Sequence, residues 1–354
     1  MKIIYIVELD AYSDSGVLRK VVSQLSCWKK LENDCEMLLV SKPPSKKSLL
    51  VSYLESKSIY IFYSGLLAKL SSVFGGKYVY FNKILVSIKI LLKVLRFKPD
   101  IIYYRFGIWF PGQLIRFLNV PLVVEINSDD IEESLLYSDI TRFLHLRSRS
   151  MLLKRANGFC CVTRELRHKI PPKDGVSVAI SNGIDLSAIT AVKVENSIRT
   201  QIIFVGNSSC PWHGVEKIVY LASVLDDCDF HIVGPELNKF NKLSKNITFY
   251  GFLNNKCLAE LYSKMNIAIG TLSLHKKNMK EASALKVREY VAYGLPVILG
   301  YIDSDLDGCD FILNVGNYER NIHDNLKKIK EFIRFWKDKE IKYDMKHIDM
   351  YNKE

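Results

Sequence analysis

Residues 281–298, Glu-Ala-Ser-Ala-Leu-Lys-Val-Arg-Glu-Tyr-Val-Ala-Tyr-Gly-Leu-Pro-Val-Ile, contain the local signals of a loop, a short helix, a tight turn and a strand. Ser283 is a candidate N-cap, because its side-chain oxygen can accept a hydrogen bond from a free amide of the first helical turn. Gly294 supplies the left-handed residue with which a helix often ends, and Pro296 cannot continue a helix. The apolar run after Pro296 predicts a parallel strand that is buried on both faces.

The predicted helix places three polar residues on one face. Lys286, Glu289 and Tyr293 are spaced at i, i+3 and i+7. A helix N-terminus favours an anion, and Lys286 adds a full positive charge close to that end. Glu289 lies deeper on the same face, where its carboxylate can accept hydrogen bonds from sugar hydroxyls. The arrangement predicts a site for a phosphorylated polyol.

The pattern Glu-x7-Glu-Tyr-x-Ala-x-Gly-Leu-Pro-Val-Ile resembles the signature of the family-4 retaining glycosyltransferases of the GT-B fold. In that family the first glutamate contacts the transferred sugar and the second binds the ribose of the nucleotide, so the resemblance assigns these roles to Glu281 and Glu289. It implies a UDP- or GDP-sugar donor and a sugar or lipid-linked oligosaccharide acceptor. It also implies a role in assembling a bacterial surface polysaccharide, such as capsule or O-antigen. The alternative is an ordinary helix–turn–strand unit with solvated glutamates.

Length and composition indicate two globular domains. The chain has 354 residues, and 48% of them are hydrophobic, which suffices for two cores. The net charge of +12 favours anionic partners. The charge is spread along the chain, and no helix-turn-helix, zinc or RNA-binding motif accompanies it, so we do not expect nucleic acid as a partner.

The sequence predicts a cytoplasmic protein. No apolar run has the roughly 18 residues of a membrane-spanning helix, and Glu8 and Asp10 interrupt any signal-peptide core. The eight cysteines lack metal-binding spacings and fit free thiols in a reducing compartment. We therefore expect no metal and no cofactor besides the nucleotide-sugar substrate.

Apolar runs alternate with helical periodicity along the whole chain. Residues 3–7 predict a strand, which is followed by Gly16 and a helix, and residues 201–206 repeat the same order. The alternation predicts an α/β fold of two Rossmann-like, doubly wound parallel-sheet domains, and the resemblance implies that the two domains face a cleft in a GT-B architecture.

The domain boundaries follow from the composition. We place an acceptor-binding domain at 1–190, a polar linker within 186–200, and a nucleotide-sugar-binding domain at 198–337. The resemblance implies that residues 338–354 cross back to the first domain.

Two candidate site residues lie in the first domain. Gly16 belongs to a loop that lies beside the transferred sugar in the resembling family, although a turn glycine is equally common. Asn127 follows the strand predicted at 121–126, where polar residues reach the ligand side of a parallel sheet. Relatives often carry a histidine near this position, and here Glu125 and Asn127 stand instead. The resemblance makes Asn127 a candidate catalytic residue beside Glu281 and Lys286.

The glycine loop of the second domain departs from the family pattern. Typical relatives have Arg after the first glycine and Lys before the last, and both bind the diphosphate. Here Asn207 follows Gly206, and His213 occupies the position of the lysine. Backbone amides, His213, Lys217 and Lys286 are then left to bind the anion.

Residues 82–98 predict a basic amphipathic helix. One interpretation places it on an anionic membrane, with Lys83, Lys89, Lys93 and Arg96 toward the headgroups at the inner face of the cell membrane. The other interpretation is a helix that covers the sheet and exposes a lysine-rich face.

The motif Asp303-x-Asp305-x-Asp307 resembles half of a calcium-binding loop. Position twelve is Asn314, where calcium requires a bidentate glutamate, so we expect a solvated loop.

Two other functions stay open. A sugar-nucleotide epimerase of the GT-B fold would need further acid/base carboxylates, which the sequence does not identify. A non-catalytic nucleotide-sugar-binding homologue would fit the loss of the usual Arg and Lys.

Overall fold

The chain divides into two compact units, Met1–Ile180 and Ser181–Lys353. The computed structural model describes residues 1–11, 15–41, 58–63, 78–108, 115, 117–170, 176–189, 198–207, 210–236 and 243–353. The structural division lies ten residues before the end of the predicted first domain. Most of the predicted linker, residues 190–197, lies outside the described residues.

The first unit contains a seven-stranded sheet in the order β3-β2-β1-β4-β5-β6-β7, and every pairing in it is parallel. Its strands are β1 (Lys2–Glu8), β2 (Asp34–Ser41), β3 (Ile59–Tyr63), β4 (Ile101–Arg105), β5 (Leu122–Ile126), β6 (Gly158–Cys161) and β7 (Val176–Ala179). Its described helices are α1 (Gly16–Lys30), α2 (Tyr78–Phe97), α3 (Asp130–Ser134), α4 (Asp139–Arg155) and α5 (Arg164–Lys169).

The core of the first unit lies between β1 and α1. Residues 3–7 of β1 are at most 6% exposed, because a central parallel strand is covered on both faces. On α1 the buried side chains recur at helical spacing, at Leu18, Val21, Leu25 and Trp28. The helix begins where Ser15 Oγ accepts a hydrogen bond from the backbone N–H of Leu18 at 3.2 Å.

The second unit contains a six-stranded sheet in the order β10-β9-β8-β11-β12-β13, again parallel throughout. Its strands are β8 (Thr200–Val205), β9 (Cys228–Val233), β10 (Ile247–Gly251), β11 (Ile267–Ile269), β12 (Val297–Leu299) and β13 (Ile312–Asn314). Its described helices are α6 (Val215–Val224), α7 (Asn255–Tyr262), α8 (Leu285–Ala292), α9 (Asn321–Asp324), α10 (Leu326–Trp336) and α11 (Met350–Lys353).

Both sheets have the strand order of a dinucleotide-binding fold. In this order successive strands are added first on one side of the first strand and then on its other side. In the second sheet the change of side lies between β8 and β11. The segments that leave β8, β11 and β12 therefore reach the same carboxyl edge of the sheet, where ligands bind in such folds. The predicted fold class, two doubly wound parallel-sheet domains, is confirmed.

The C-terminal segment closes the second unit. Ile184 donates its backbone N–H to the carbonyl of Ile348 at 2.9 Å and accepts from Met350 N–H at 2.9 Å. These bonds join the first and the last residues of that unit, and a path of residues 338–354 toward the first unit stays a prediction. Among the helices in the described ranges, none combines the length and hydropathy needed to cross a membrane.

Candidate active site

The helix α8 and the strand β12 form as the sequence predicts, but the N-cap does not. Ala284 precedes the helix, and no side chain caps it. The prediction that Ser283 is the cap is wrong, because Ser283 Oγ accepts from the backbone N–H of Asn182 at 2.7 Å. Gly294 follows the helix with φ 75°, the left-handed conformation that glycine adopts without strain.

Glu281 lies on a short parallel bridge to Ile302, just beyond β12. The bridge consists of a bond from Ala282 N–H to the Ile302 carbonyl at 3.1 Å and one from Ile302 N–H to the Lys280 carbonyl at 3.1 Å. The backbone of Glu281 is thereby fixed at the carboxyl edge of the sheet, and its side chain is partly exposed.

A buried ion-pair cluster anchors α8 through Arg288. Arg288 is 0% exposed; it pairs with Asp303, donates to Asp305 Oδ2 at 2.7 Å, and donates to the Asn182 carbonyl at 3.1 Å. Lys353 Nζ also donates to Asp305 Oδ2, at 3.0 Å. The prediction of a solvated loop at Asp303 is therefore wrong, since two of its carboxylates neutralise a buried guanidinium. Among the described residues no cluster has the composition of a metal site.

Lys286 carries a buried amino group that no hydrogen bond compensates. Its Nζ is closed off from solvent and has no hydrogen-bond partner among the described residues. The nitrogen lies 4.2 Å from the centre of the Phe204 ring, whose face partly compensates the charge. Burial lowers the pKa of Lys286 from 10.5 to about 7.

Gly206, Asn207 and His213 surround the same aromatic ring. His213 packs edge-on against Phe204 with the ring centres 5.5 Å apart, and its Nδ1 lies 3.2 Å from the backbone nitrogen of Asn207. A Cβ added at Gly206 would lie 2.5 Å from the Phe204 ring and 2.8 Å from His213 Nδ1, so only glycine fits there.

His213 does not replace the missing cation of the loop. Burial, and then the positive charge of Lys286, lower the pKa of His213 to about 2. The imidazole is therefore neutral near pH 7 and does not supply the positive charge of the usual lysine.

Lys217 does not supply this charge either. Its Nζ donates to the Leu272 carbonyl at 3.3 Å, the Tyr318 carbonyl at 3.0 Å and Asn321 Oδ1 at 2.9 Å. An ammonium has three protons, and all three are used inside the protein. The prediction that Lys217 binds the anion is therefore contradicted by the geometry of its contacts.

Glu289 is oriented by an aromatic residue of α7. Its Oε2 accepts from the hydroxyl of Tyr262 at 3.2 Å, and Tyr262 also packs on Tyr293 with ring centres 4.9 Å apart. Glu289 and Tyr293 thus share the face that helical spacing predicts, and Tyr262 orients the carboxylate.

In the first unit the two predicted residues lie near the carboxyl ends of the strands. Gly16 is the first residue of α1. Asn127 follows β5, and both polar atoms of its amide are buried without a hydrogen-bond partner in the described chain.

Glu125, the other polar residue at this strand end, is part of a buried network. It pairs with Lys20, accepts from Arg105 Nη1 at 3.1 Å and from the Tyr5 hydroxyl at 2.8 Å. Burial favours the protonated acid, but Lys20 and Arg105 outweigh it and lower the pKa of Glu125 to about 2. Glu125 is therefore a structural anion.

The sequence did not reveal Phe204, Arg288, Asn182 or Tyr262. Arg288 stands between Lys286 and Glu289, and two aspartates follow at 303 and 305, so an internal ion pair was available as an interpretation. Phe204 and Tyr262 carry no such signal, because apolar and aromatic residues occur in every buried element.

Comparison with solved structures defines the fold. Sucrose-phosphate synthase from Thermosynechococcus elongatus superposes with a TM-score of 0.68 at 14% identity, covering 100% of this chain and 92% of that one. The lipopolysaccharide outer core galactosyltransferase WaaB, in its apo form, gives 0.60 at 14% identity, with 98% and 93% covered. A UDP-GlcNAc 2-epimerase from Neisseria meningitidis bound to UDP-GlcNAc gives 0.55 at 13% identity, with 100% and 95% covered. The chain has the GT-B fold.

The sequence of the second unit matches a known protein family. Residues 199–331 match the family described as glycosyl transferases group 1. This segment contains Gly206, Lys286 and Glu289, so the match covers the candidate donor-binding residues of the second unit. The prediction of a glycosyltransferase is confirmed at that level. No curated protein matches the sequence.

Proposed function

We propose that this protein is a retaining glycosyltransferase that takes a sugar from a nucleotide-diphosphate donor. Glu281 contacts the transferred sugar, Glu289 binds the ribose, and Lys286 faces the diphosphate, with the loop after Gly206 closing the phosphate site. The proposal rests on one observation above all: an unpaired, buried ammonium stands inside a domain that matches glycosyltransferases.

A buried charge without a partner is costly, and proteins rarely retain one without a use. Two phosphates placed beside Lys286 would supply the missing counter-charge. During transfer the glycosidic bond to the diphosphate breaks, and negative charge grows on the leaving oxygen. A cation fixed at that position stabilises the transition state more than the bound substrate, which raises turnover rather than affinity.

We further propose an acceptor that is a sugar or a lipid-linked oligosaccharide of a bacterial surface polysaccharide. The helix α2 favours binding to a membrane surface, because one of its sides exposes large apolar residues. These are 42–61% exposed: Ile84, Ile88, Leu92 and Leu95. The proposed location is the inner face of the cell membrane, with the protein held peripherally.

The cations of α2 divide into two groups. Lys83 pairs with Glu8 at 2.8 Å and Lys93 pairs with Glu36 at 2.9 Å, so both serve the sheet-covering interpretation. Lys89 and Arg96 are exposed beside the apolar side and remain available for lipid headgroups.

A sugar-nucleotide epimerase is the second candidate, favoured by the similarity to the UDP-GlcNAc 2-epimerase. The family match of the second unit weighs against it. One experiment separates the two: the purified protein is incubated with UDP- and GDP-sugars, with and without acceptor, and products are followed by NMR.

A new glycoside with the donor's anomeric configuration supports the retaining transferase, and slow donor hydrolysis supports a transferase without reporting the configuration. An isomerised sugar nucleotide identifies an epimerase, and binding without turnover identifies a non-catalytic homologue. Lys286→Ala should lose activity, while Lys276→Ala, which removes a lysine paired with Glu216 at 2.6 Å, is the matched control.

A further inference from the structure

Asn182 contacts the segment that carries Lys286 at three points. Its backbone N–H donates to Ser283 Oγ at 2.7 Å, and its side-chain Nδ2 donates to the Ser283 carbonyl at 2.6 Å. Its own carbonyl accepts from Arg288 Nε at 3.1 Å. Ser283 precedes Lys286 and Arg288 follows it, so the contacts of Asn182 enclose Lys286 in the sequence.

One of these contacts reaches the side of α8 that faces away from Lys286. Two residues along an α-helix correspond to a rotation of about 200°, so Lys286 and Arg288 point in nearly opposite directions. Arg288 is fully buried, whereas Lys286 Nζ lies over the Phe204 ring. A bond to Arg288, together with two bonds just before the helix, therefore fixes both the position of α8 along its axis and its rotation about that axis.

The start of α8 has no cap of its own. Ala284 precedes the helix, and no side chain accepts a hydrogen bond from the amides of the first turn. The N–H groups of a first turn have no partners inside the helix, so an uncapped end frays. Lys286 belongs to this turn. The two bonds from Asn182 to Ser283 therefore act where the internal hydrogen bonds of the helix are fewest.

Asn182 is itself held in place by the C-terminal segment. Ile184 exchanges backbone hydrogen bonds with Ile348 and Met350, both at 2.9 Å. A Cβ added at Gly183 would lie 2.8 Å from Met350 Cα, so only glycine allows the two segments to approach this closely. The chain directly after Asn182 is thus packed into the second unit. A residue anchored in this way can hold another element in position.

We propose that Asn182 is a positioning residue for Lys286. Its bonds to Ser283 and Arg288, here called the Asn182 clamp, hold α8 so that the Lys286 side chain stays over Phe204. Asn182 contacts no substrate in this proposal. A catalytic group that is displaced by about 1 Å can lose about a hundredfold in rate, so such a clamp matters for turnover. The effect on sugar transfer rests on the proposed function, whereas the hold on Lys286 rests on the contacts alone.

The first measurement is acetylation of lysines by N-hydroxysuccinimidyl acetate at pH 8, read by mass spectrometry of the full-length protein after digestion. Lys286 Nζ is closed off from solvent, so its labelling requires a local opening of α8. The side chain of Lys276 is 32% exposed and serves as the reference in the same sample. The ratio of Lys286 to Lys276 labelling reports how firmly α8 is held, without any donor or acceptor.

Two variants each remove one bond of the clamp. Asn182→Ala removes the donor to the Ser283 carbonyl, and it removes no other side-chain bond in the described chain, because Asn182 Oδ1 has no partner there. Ser283→Ala removes the acceptor of the Asn182 N–H. Each variant should raise the labelling ratio about tenfold, since a buried group loses its hydrogen-bond partner.

Asp185→Ala is the matched control. Asp185 Oδ1 accepts from the backbone N–H of Ser187 at 3.0 Å, so the variant removes a bond within the same segment that does not involve α8. Its labelling ratio should equal that of the parent protein. The free energy of unfolding in urea is measured for all variants, because a purely structural role would change stability and leave the ratio unchanged.

The second measurement is single-turnover kinetics with a nucleotide-diphosphate sugar that the parent protein turns over. Asn182→Ala should lower the rate constant about tenfold and change donor affinity by less than about threefold. The reason is that Lys286 remains in the site but is held less precisely during bond breaking. Asp185→Ala should match the parent protein in both quantities.

The outcomes separate the clamp from the proposed function. A labelling ratio at the parent value in both clamp variants, or an equal rise in Asp185→Ala, would overturn the inference. A raised ratio with an unchanged rate constant would overturn its link to catalysis. If the parent protein turns over no donor, the proposed function fails, and a raised ratio in the two clamp variants still supports the hold of Asn182 on Lys286.

Discussion

Donor binding should be linked to uptake of a proton at Lys286. In the free protein the pKa of this lysine is about 7, because the ammonium is buried without a partner. A diphosphate beside it should restore the charged form and return the pKa toward its ordinary value. Near pH 8 the free protein holds this proton in roughly one molecule in ten, so binding should take up about 0.9 proton.

The affinity should follow the same equilibrium. Above pH 7 the binding-competent, protonated state falls about tenfold per pH unit, and donor affinity should fall with it. His213 does not contribute to this range, because its pKa is about 2. Replacing Lys286 by Met should abolish both the proton uptake and the fall of donor affinity with pH.

Calorimetry at pH 8 in buffers with different ionisation heats measures the number of protons taken up. The ligand should be an intact nucleotide-diphosphate sugar, since its diphosphate is esterified at both ends and has no titrating proton near neutral pH. Two results together would refute the assignment of Lys286 to the diphosphate. They are a binding enthalpy that does not change with the ionisation heat of the buffer and an affinity that does not change with pH.

Stability provides an independent measure of the same burial. The folded pKa lies below that of the unfolded chain, so between about pH 7 and 10.5 the unfolded chain holds a proton that the folded protein lacks. Stability therefore rises with pH through this window, by about 5 kcal/mol over its full width. Lys286→Met removes the buried ionisable group, so this variant should be more stable than the parent protein. The difference in their free energies of unfolding should shrink by about 2 kcal/mol between pH 7 and pH 9 in urea titrations.

The remaining predictions concern turnover, the ribose contact, the ion-pair cluster and the membrane. Lys286→Ala should lower turnover in single-turnover kinetics about a hundredfold, near 3 kcal/mol, with a smaller loss of donor affinity. Glu289→Gln should weaken donor binding in calorimetry by about 1.5–3 kcal/mol at an unchanged melting temperature; unchanged affinity would remove the ribose role. Arg288→Met should destabilise the second unit in urea by about 3–5 kcal/mol, because it leaves the buried carboxylate of Asp303 without its cation. Charge reversal at Lys89 and Arg96 should weaken sedimentation with anionic vesicles by about 1 kcal/mol per residue, and equal sedimentation would leave α2 as a sheet cover.

Local signals predicted much of the fold. Apolar runs marked β1 and β8, and Gly294 with Pro296 marked the end of α8, because backbone preferences act over a few residues. The strands β7 and β13 have only four and three residues, too few for hydrophobic periodicity to reveal them, whereas β3 is an apolar run of five residues that the sequence did offer.

The site was less predictable, because its hydrogen bonds join distant parts of the sequence. The side chain of Ser283 does not cap α8, because it accepts a hydrogen bond from the backbone of Asn182, which lies 101 positions away. Lys217 matches the sequence pattern for an anion ligand, yet its protons go to residues 55–104 positions away. The helix spacing correctly grouped residues on a face, but which of them stays unpaired depends on burial, and one sequence does not reveal that.

The bonds between Ile184 and residues 348 and 350 have a consequence for biosynthesis. A chain is made from its N-terminus, so Met1–Ile180 can collapse into its own sheet while the rest is still on the ribosome. The second unit has no such advantage, because its opening segment waits for partners more than 160 residues downstream. Until Lys353 has left the ribosome, the cluster of Arg288, Asp303 and Asp305 also lacks the second cation that balances its charge. Nascent chains halted before residue 345 should therefore contain a protease-resistant first unit and a second unit that is still cleaved.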